Sequence, residues 1–478
     1  MLLHRSISLV AVSRSLGETA RVWRGLPAPS TIPSRSFSRS TRWLGKCTHL
    51  SIPSPPSTHP TSSAKVGDRS YPRDQWTNVT PTILDRTTAQ LHRQPGHPLH
   101  ILAQRVRATF SDFAFHDYLN PDVTVEANFD QLGFPPDHPG RSRGDTYYLN
   151  EQNVLRTHTS AHQTDLMRVG ERKFLVAADV YRRDEIDSSH YPVFHQIEGL
   201  KLFDVSSLGP EGLGDGAGVG RTADTGPVHV VDDSGPTSAN PVQEVHSRNN
   251  SLYLTEDLKK ELERLVLELF RGAPSKESGA PLKIRWVEAY FPFTSPSWEL
   301  EVEWEGQWLE LLGCGVIQQP LIRAAGLGEN RIGWAFGLGL ERLAMVLFGI
   351  PDIRLFWSKD PRFLSQFTEG EITRFKPFSR HPPCTKDVSF WLSPEQECGV
   401  AANWSDNDLM EVIREVAGDM VEDVKMVDSF IHPKTHRKSM CYRITYRSMD
   451  RNVTNEEINT TQEEVRRRLV SQLRVELR

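Results

Sequence analysis

"YRRDEIDSSHYPVFHQIEGL", Tyr181 to Leu200, is the stretch whose reading decides the fold. It sets two adjacent arginines, several acids, two histidines and a glutamine among isolated aromatics. It follows "KFLVAADV", Lys173 to Val180, an apolar run of strand character that continues into Tyr181–Asp184. The chain then bends through "EIDSSHYP" and returns in "VFHQIEG" as a second strand. Side chains alternate across a strand, so Arg182 and Asp184 share one face. On the return strand Phe194, Gln196 and Glu198 share a face, while His195 and Ile197 point away. An Arg, a Gln, a Glu and an aromatic on one sheet surface would suit a ligand with a phosphate, an amine and a flat ring. Charged cross-strand pairs on an exposed sheet would give the same pattern.

The surrounding chain reads as helices packed on a mainly antiparallel sheet. In "HPLHILAQRVRATFSDF", Leu99, Leu102, Val106 and Phe110 have helical spacing. In "TEDLKKELERLVLELF", Thr255 is the expected cap and Leu258, Leu262, Leu265 and Leu269 form the buried stripe. "LKIRWVEAYFPF" reads as a strand that carries Phe291 and Phe293, two apart and on one face. In "SWELEVEWEGQWLELLGCGV", Leu300, Val302 and Trp304 alternate with glutamates, which predicts a hairpin turning at Glu305-Gly306. From about Phe375 the order becomes strand, helix, strand, strand, helix; with a closing edge strand this is a ferredoxin-like α+β domain. The expected fold class is therefore α+β. Its divisions are a leader and linker over 1–70, a sheet domain over 71–358, a linker over 359–374, and the ferredoxin-like domain over 375–478. Ser206–Glu244, with "GPEGLGDGAGVG" and "DDSGPTSANP", reads as a low-complexity insertion.

Composition narrows the setting. The net charge of -5 hides a basic start: the first fifty residues hold eight Arg or Lys against Glu18 alone. Leu3, Ile7, Val10 and Ala11 fall at helical spacing within it. Arg- and Ser-rich, nearly acid-free and amphipathic is the composition of a mitochondrial presequence, a disordered basic tail being the alternative. No apolar run reaches membrane-spanning length. Cys47, Cys314, Cys384, Cys398 and Cys441 show neither Cys-x-x-Cys nor accompanying His spacing, so reduced thiols are expected.

A second chemical signal is "GWAFGLGLERLAMVLF": a strand runs through Gly337 and Gly339 into a helix with Arg342 in its first turn. Helix amides and a guanidinium there favour a polyphosphate. Leucine packing explains Leu340, Leu343 and Leu347 but does not ask for Glu341-Arg342. The hairpin and this strand–helix unit resemble motifs 2 and 3 of the class II aminoacyl-tRNA synthetases. "LRTHTSAHQ", "FPFTSPSWELEV" and "WLELLGCGV" resemble the phenylalanyl-tRNA synthetases, and the C-terminal block, with "HPPCTKDVSFWL" and "IHPKTHRKSMCYRITYRSMDR", resembles their single-chain mitochondrial form. The resemblance covers residues 75–205 and 246–478.

That resemblance implies ATP-dependent activation of phenylalanine and its transfer to the terminal ribose of tRNA, in the mitochondrial matrix, by a monomer without a partner subunit and without an editing domain. It implies that Arg182 binds the α-phosphate and Arg342 the γ-phosphate. Phe194 would stack on adenine, and Asp184, Ser189, His190, Tyr191, Gly337 and Gly339 would lie along the nucleotide. Glu310 would bind Mg²⁺. The amino acid would meet Glu198, Gln196, Ile197 and the segment His158, Ser160, Ala161, His162 and Gln163. Phe291 and Phe293 would wall its ring, unless they are ordinary core, and Ala335 and Phe336 would close the floor. In the C-terminal block Lys425, His432, Lys434, His436, Arg437, Lys438, Arg443, Arg447 and Arg451 stand among Phe430, Tyr442 and Tyr446. A basic strand surface with stacking side chains suits single-stranded RNA, Lys434, Arg437, Lys438, Arg443 and Arg447 being the expected tRNA contacts. A solvated charged face is the other reading. A non-catalytic RNA-binding relative, or a ligase for another amino acid, are the rival functions.

Overall fold

A computed structural model describes residues 63–208, 221–224, 228–271, 281–377, 381–393 and 404–478. The expected presequence up to residue 62 lies outside the described residues, as do Cys47 and Cys398. Order begins ahead of Tyr71: β1 (Ser63–Val66) and β2 (Arg69–Pro72) form a hairpin with Ala64 and Val66 buried. Arg69 and Tyr71 both bond the buried carboxylate of Asp122. β3 (Ala114–His116) belongs to the main sheet, while β4 (Asp122–Thr124), β5 (Tyr148–Asn150) and β6 (Asn153–Leu155) form a small one.

The main sheet continues with β7 (Lys173–Tyr181), β8 (Val193–Asp204), β9 (Arg221–Asp224), β10 (Val228–Asp232), β11 (Leu282–Glu288), β12 (Thr294–Trp304), β13 (Gln307–Ile317) and β14 (Arg331–Gly339). Its order is β3-β7-β8-β14-β13-β12-β11-β10-β9. The pairings are antiparallel except β3 with β7 and β10 with β11. The β12–β13 turn is where the alternation put it: Glu305 (φ 51°) and Gly306 (φ 78°) both adopt the left-handed backbone of a tight hairpin turn.

Three helices cover one face of this sheet. Pro98–Thr109 buries Leu99, Leu102 and Val106, and Phe110 closes its end, as the spacing predicts. Arg248–Phe270 buries the expected leucine stripe. It begins two turns earlier than expected, however: Ser247 is the cap and the Thr255 hydroxyl bonds Ser251 O inside the helix. Leu340–Phe348 follows β14 directly. On the other face Leu200, Leu202, Ile317, Leu321 and Ala335 form a second, smaller core with Phe129 and Phe134. Here the candidate site side chains collect.

The 206–244 segment is only partly a plain insertion. Its β10 joins the sheet edge with Val228 and Val230 buried, and Asp232 at the strand end pairs with buried Lys259 of the helix Arg248–Phe270 at 2.8 Å. The 359–374 stretch is likewise packed rather than free, with Phe363 and Phe367 in the helix-side core.

The C-terminal domain comprises β15 (Cys384–Trp391), helix Asp406–Ala417, β16 (Val421–Ile431), β17 (Lys438–Tyr446), helix Asn455–Leu473 and β18 (Glu476–Leu477). The sheet order β16-β17-β15-β18 is the expected ferredoxin-like arrangement. A capping box of Thr454 and Glu457 starts its second helix. This domain grips the β7–β8 loop. Ile186 is buried in its core, Arg183 pairs with Asp408 at 2.9 Å, and Arg414 donates to Asp184 O. Among the described residues no helix is long and apolar enough to cross a membrane.

Candidate active site

The β7–β8 hairpin positions the first group. Antiparallel register sets Val180 opposite Phe194, and Arg182, one step past the strand end, reaches back over the ring at 5.1 Å. Its Nε donates to Thr157 O at 2.8 Å, which leaves the terminal nitrogens to a ligand. Burial lowers its pKa, with Asp184 opposing, but a guanidinium remains charged at any physiological pH. Behind the hairpin, Arg156 and Asp179 form a buried ion pair at 2.5 Å, and the Tyr181 hydroxyl also bonds Asp179. These interactions fix the two strands that aim Arg182 and Phe194.

Glu198 lies four residues on from Phe194, on the same face and beside Gly337 of β14. Its carboxylate accepts from Ser160 Oγ, from Thr159 Oγ1 at 3.1 Å and from Gln163 Nε2 at 2.6 Å. Burial pushes its pKa up to about 7 in spite of these bonds. His158 donates from Nε2 to Asn128 O at 3.0 Å, so in the neutral ring Nδ1 is an acceptor. Burial, with Arg182 nearby, holds its pKa down at about 3. His158 Nδ1 and Gln163 Oε1 are both buried without a hydrogen-bond partner among the described residues. Two unused acceptors near a buried carboxylate are costly unless a donor arrives. A ligand ammonium is such a donor.

Aromatic rings stand next to these acceptors. His158 stacks on Phe134 at 5.6 Å and lies 6.4 Å from Phe293, and Phe291 and Phe293 stack at 5.9 Å. The two phenylalanines sit in the turn between β11 and β12, not on a strand as the alternation implied. Phe291 lies over Gly313: a Cβ there would come within 2.6 Å of the ring. Above Gly337, in contrast, a Cβ would meet nothing within 4 Å. The cross-strand glycines therefore give a floor with ring contact at one end and open space at the other. Phe134 was not visible as a site residue in sequence; it sits in a loop without periodicity.

The third group depends on a bulge. The β12–β13 register shifts between Leu300 and Glu301, so that Leu311 and Leu312 both face the helix-side core. That extra residue turns Glu310, opposite Glu301, onto the site face. Arg342 opens the helix after β14; burial lowers its pKa, and the charges of Glu310, Glu299 and Glu301 oppose this. Glu341 beside it accounts for the other half of the Glu-Arg pair. Its carboxylate accepts from His195 N at 2.8 Å and meets His195 Nδ1 at 2.6 Å, joining the helix to β8. No cluster of three metal-ligating side chains exists among the described residues. Magnesium commonly takes one or two carboxylates and completes its octahedron with waters and phosphates, so Glu310 fits it on donor chemistry.

Several expected contacts go elsewhere. Ile197 and Phe336 belong to the helix-side core, because period two turns them away from Glu198 and Ala335. Phe336 stacks on Phe110 there at 5.3 Å. His162 is bound to Arg156 at 3.1 Å, behind the hairpin, and Ala161 is buried in the same short turn. Ser189 and His190 both turn back to Asp187, and that bond carries His190 up to about 9 although burial opposes the charge. Tyr191 stacks on Trp357 and bonds Asp419 of the C-terminal domain at 2.7 Å. Gln196, at the other end, accepts from Thr159 N at 3.3 Å, and Gly339 pairs with it across β8 and β14.

The C-terminal surface is also less open than its composition implied. Arg443 pairs with Asp387, Arg437 with Glu476, Arg451 with Glu457 and Lys425 with Asp423. Arg447 pairs with Glu422 against Arg354, at the seam between domains. Tyr442 and Tyr446 are core residues whose hydroxyls bond Asp406 and Gln462. Lys434 is exposed on the β16–β17 turn and Lys438 begins β17. The aromatic surface lies instead where Trp391 meets Phe430 at 5.6 Å and His432 at 5.8 Å, with Arg437 and Arg478 against its ring.

A family model for the tRNA synthetases class II core domain (F) matches residues 83–208 and 254–367, and one for the ferredoxin-fold anticodon binding domain matches 379–478. A mitochondrial phenylalanine–tRNA ligase of Saccharomyces cerevisiae is 48% identical, over 84% of this chain and 92% of the yeast one. The Mus musculus mitochondrial enzyme is 46% identical over 87% of this chain and 89% of its own. The chloroplastic/mitochondrial enzyme of Arabidopsis thaliana is 46% identical over 85% and 83%. The chain belongs to the phenylalanine–tRNA ligase family of class II aminoacyl-tRNA synthetases.

Proposed function

We propose that the protein is a mitochondrial phenylalanine–tRNA ligase, acting in the matrix as a monomer, that makes phenylalanyl-adenylate from ATP and passes it to the terminal ribose of tRNA(Phe). The observation that carries the reading is the pairing of Glu198, flanked by two unused acceptors, with the cage of Phe134, Phe291, Phe293 and His158. A carboxylate takes the substrate ammonium and the rings take its side chain edge to face. Ala335, in the core beside this cage, limits room beyond the ring's para position.

No side chain needs to act as a nucleophile, because the amino-acid carboxylate is one; the residues position it and hold charge. Arg182 lies on the hairpin where the α-phosphate of ATP would meet that carboxylate, and it stabilises the charge that builds there. Phe194 offers its ring to adenine once Arg182 turns to phosphate. Arg342 holds the γ-phosphate so that pyrophosphate leaves in line. Glu310 would hold Mg²⁺, which would supply positive charge against the phosphates. Lys434, Lys438 and the Trp391 surface are the proposed contacts of the anticodon stem-loop. Charging a tRNA(Phe) transcript with labelled phenylalanine tests the reading; charging with another amino acid in preference would overturn it.

A further inference from the structure

The chain between β10 and the helix Arg248–Phe270 lies within 209–253, which the class II family model does not match. Two of its polar side chains meet the backbone segments that flank Phe293. Asn240, 4% exposed, donates to Ser297 O at 2.8 Å and accepts from Ser297 N at 2.7 Å. Gln243 donates to Ser295 O and to Ile317 O, both at 2.9 Å, and its Oε1 accepts from Gln319 N at 2.8 Å. Between those anchor points Gln318 N donates to Phe293 O at 2.9 Å. The reason for the Gln243 bonds is a gap in the ladder. The β12–β13 register breaks between the Thr294–Ile317 and Ser297–Gly315 pairs, so the strands do not satisfy each other's backbone there. Gln243 bridges that gap, while Asn240 takes the other edge of β12, where Ala289 N also donates to Ser297 O at 3.1 Å.

We infer that Asn240 and Gln243 are positioning residues for amino-acid recognition: they hold the turn that carries Phe291 and Phe293 against Gly313, and so set both phenylalanine affinity and the rejection of tyrosine. The inference rests on the proposed reading of Phe291 and Phe293 as pocket walls. Neither residue touches the substrate, and neither contacts the residues assigned to ATP.

The test is pyrophosphate exchange with the full chain carrying Gln243→Ala, Gln243→Glu or Asn240→Ala, with Phe293→Ala alongside. Gln243→Glu keeps the side chain's size but loses the amide donor, so it carries the test if the alanine variant does not fold. The expected result is a phenylalanine KM raised about tenfold, the factor carried by roughly one lost neutral hydrogen bond, and weaker discrimination against tyrosine, with kcat and ATP KM within about twofold. A fall in Tm with phenylalanine KM and discrimination unchanged would overturn the inference, as would kcat and both KM values moving together. If Phe293→Ala raises phenylalanine KM while the Asn240 and Gln243 variants do not, only the positioning inference fails. If Phe293→Ala also leaves it unchanged, the pocket reading fails with it.

Discussion

Replacing Glu198 by glutamine separates what this residue does for binding from what it costs the fold. Burial raises its pKa from the usual 4.5 to about 7. At ~1.4 kcal/mol per pH unit, that difference amounts to roughly 3 kcal/mol of unfavourable charge burial above pH 7. Between 4.5 and 7 the native state holds the proton more tightly than the unfolded one. Stability therefore falls as pH rises through that window, and the cost is complete above it. Glu198→Gln should be more stable than the parent at pH 8 and indistinguishable from it at pH 4.5, as read by Tm. Function should move the other way. The substrate ammonium needs the ionised carboxylate, so the parent's kcat/KM for phenylalanine in pyrophosphate exchange should rise about tenfold per pH unit up to about 7 and then level. The variant should be flat over the same range and lower by roughly 100-fold at pH 8, the loss expected for one partner of a buried charge pair. A parent profile that is flat from pH 5.5 to 8, or a variant that binds phenylalanine as well as the parent, would refute the assignment of Glu198 to the ammonium.

Four further outcomes are expected. Arg182→Ala should abolish adenylate formation in the exchange assay while tRNA binding, measured by filter retention, stays near the parent's; equal loss of both would make the arginine structural. Ala335→Gly should admit para-substituted phenylalanines and lower discrimination against them by about tenfold, checked by competitive exchange; unchanged selectivity would remove Ala335 from the pocket floor. Lys259→Met leaves Asp232 buried without its ion-pair partner and should cost about 3 kcal/mol in urea unfolding, since breaking a buried pair strands one charge. Arg354→Ala, which strands Asp352 at the seam and leaves Glu422 to Arg447 alone, should lower stability by a similar amount and raise ATP KM, because the β7–β8 loop rests on that domain.

The hairpin was legible because both strands obey period two over a run in which each face has one character. Apolar Leu200 and Leu202 continue the face of Glu198, so no register slip could hide. Helix stripes were legible for the same reason, at period 3.6. The cap was not: "RNNSLYL" offers polar residues through its first two turns, and the apolar stripe that marks a helix starts only at Leu254.

The misplaced site residues share one cause, which is tertiary context. Leu311 and Leu312 read as a continuous apolar strand, and nothing local distinguishes that from a bulge; only the pairing with β12 does. Phe291 and Phe293 read as strand because aromatics favour strands, while the turn follows from Phe291 settling over a cross-strand glycine. Val228 and Val230 were hidden in low-complexity sequence because a short parallel strand needs few residues when β11 already offers an edge to pair with. In the C-terminal domain the basic residues were visible but their acids were not, since Asp387, Glu422 and Glu476 come from other parts of the chain.

Amino-acid-dependent exchange of labelled pyrophosphate into ATP, run with all twenty amino acids in parallel on protein lacking residues 1–62, tests the central claim most directly. The account predicts strong exchange with phenylalanine and weak exchange with tyrosine, because an apolar cage rejects one added hydroxyl by only about 100-fold. Exchange driven by a different amino acid, or none at all from folded protein that still binds tRNA, would contradict it.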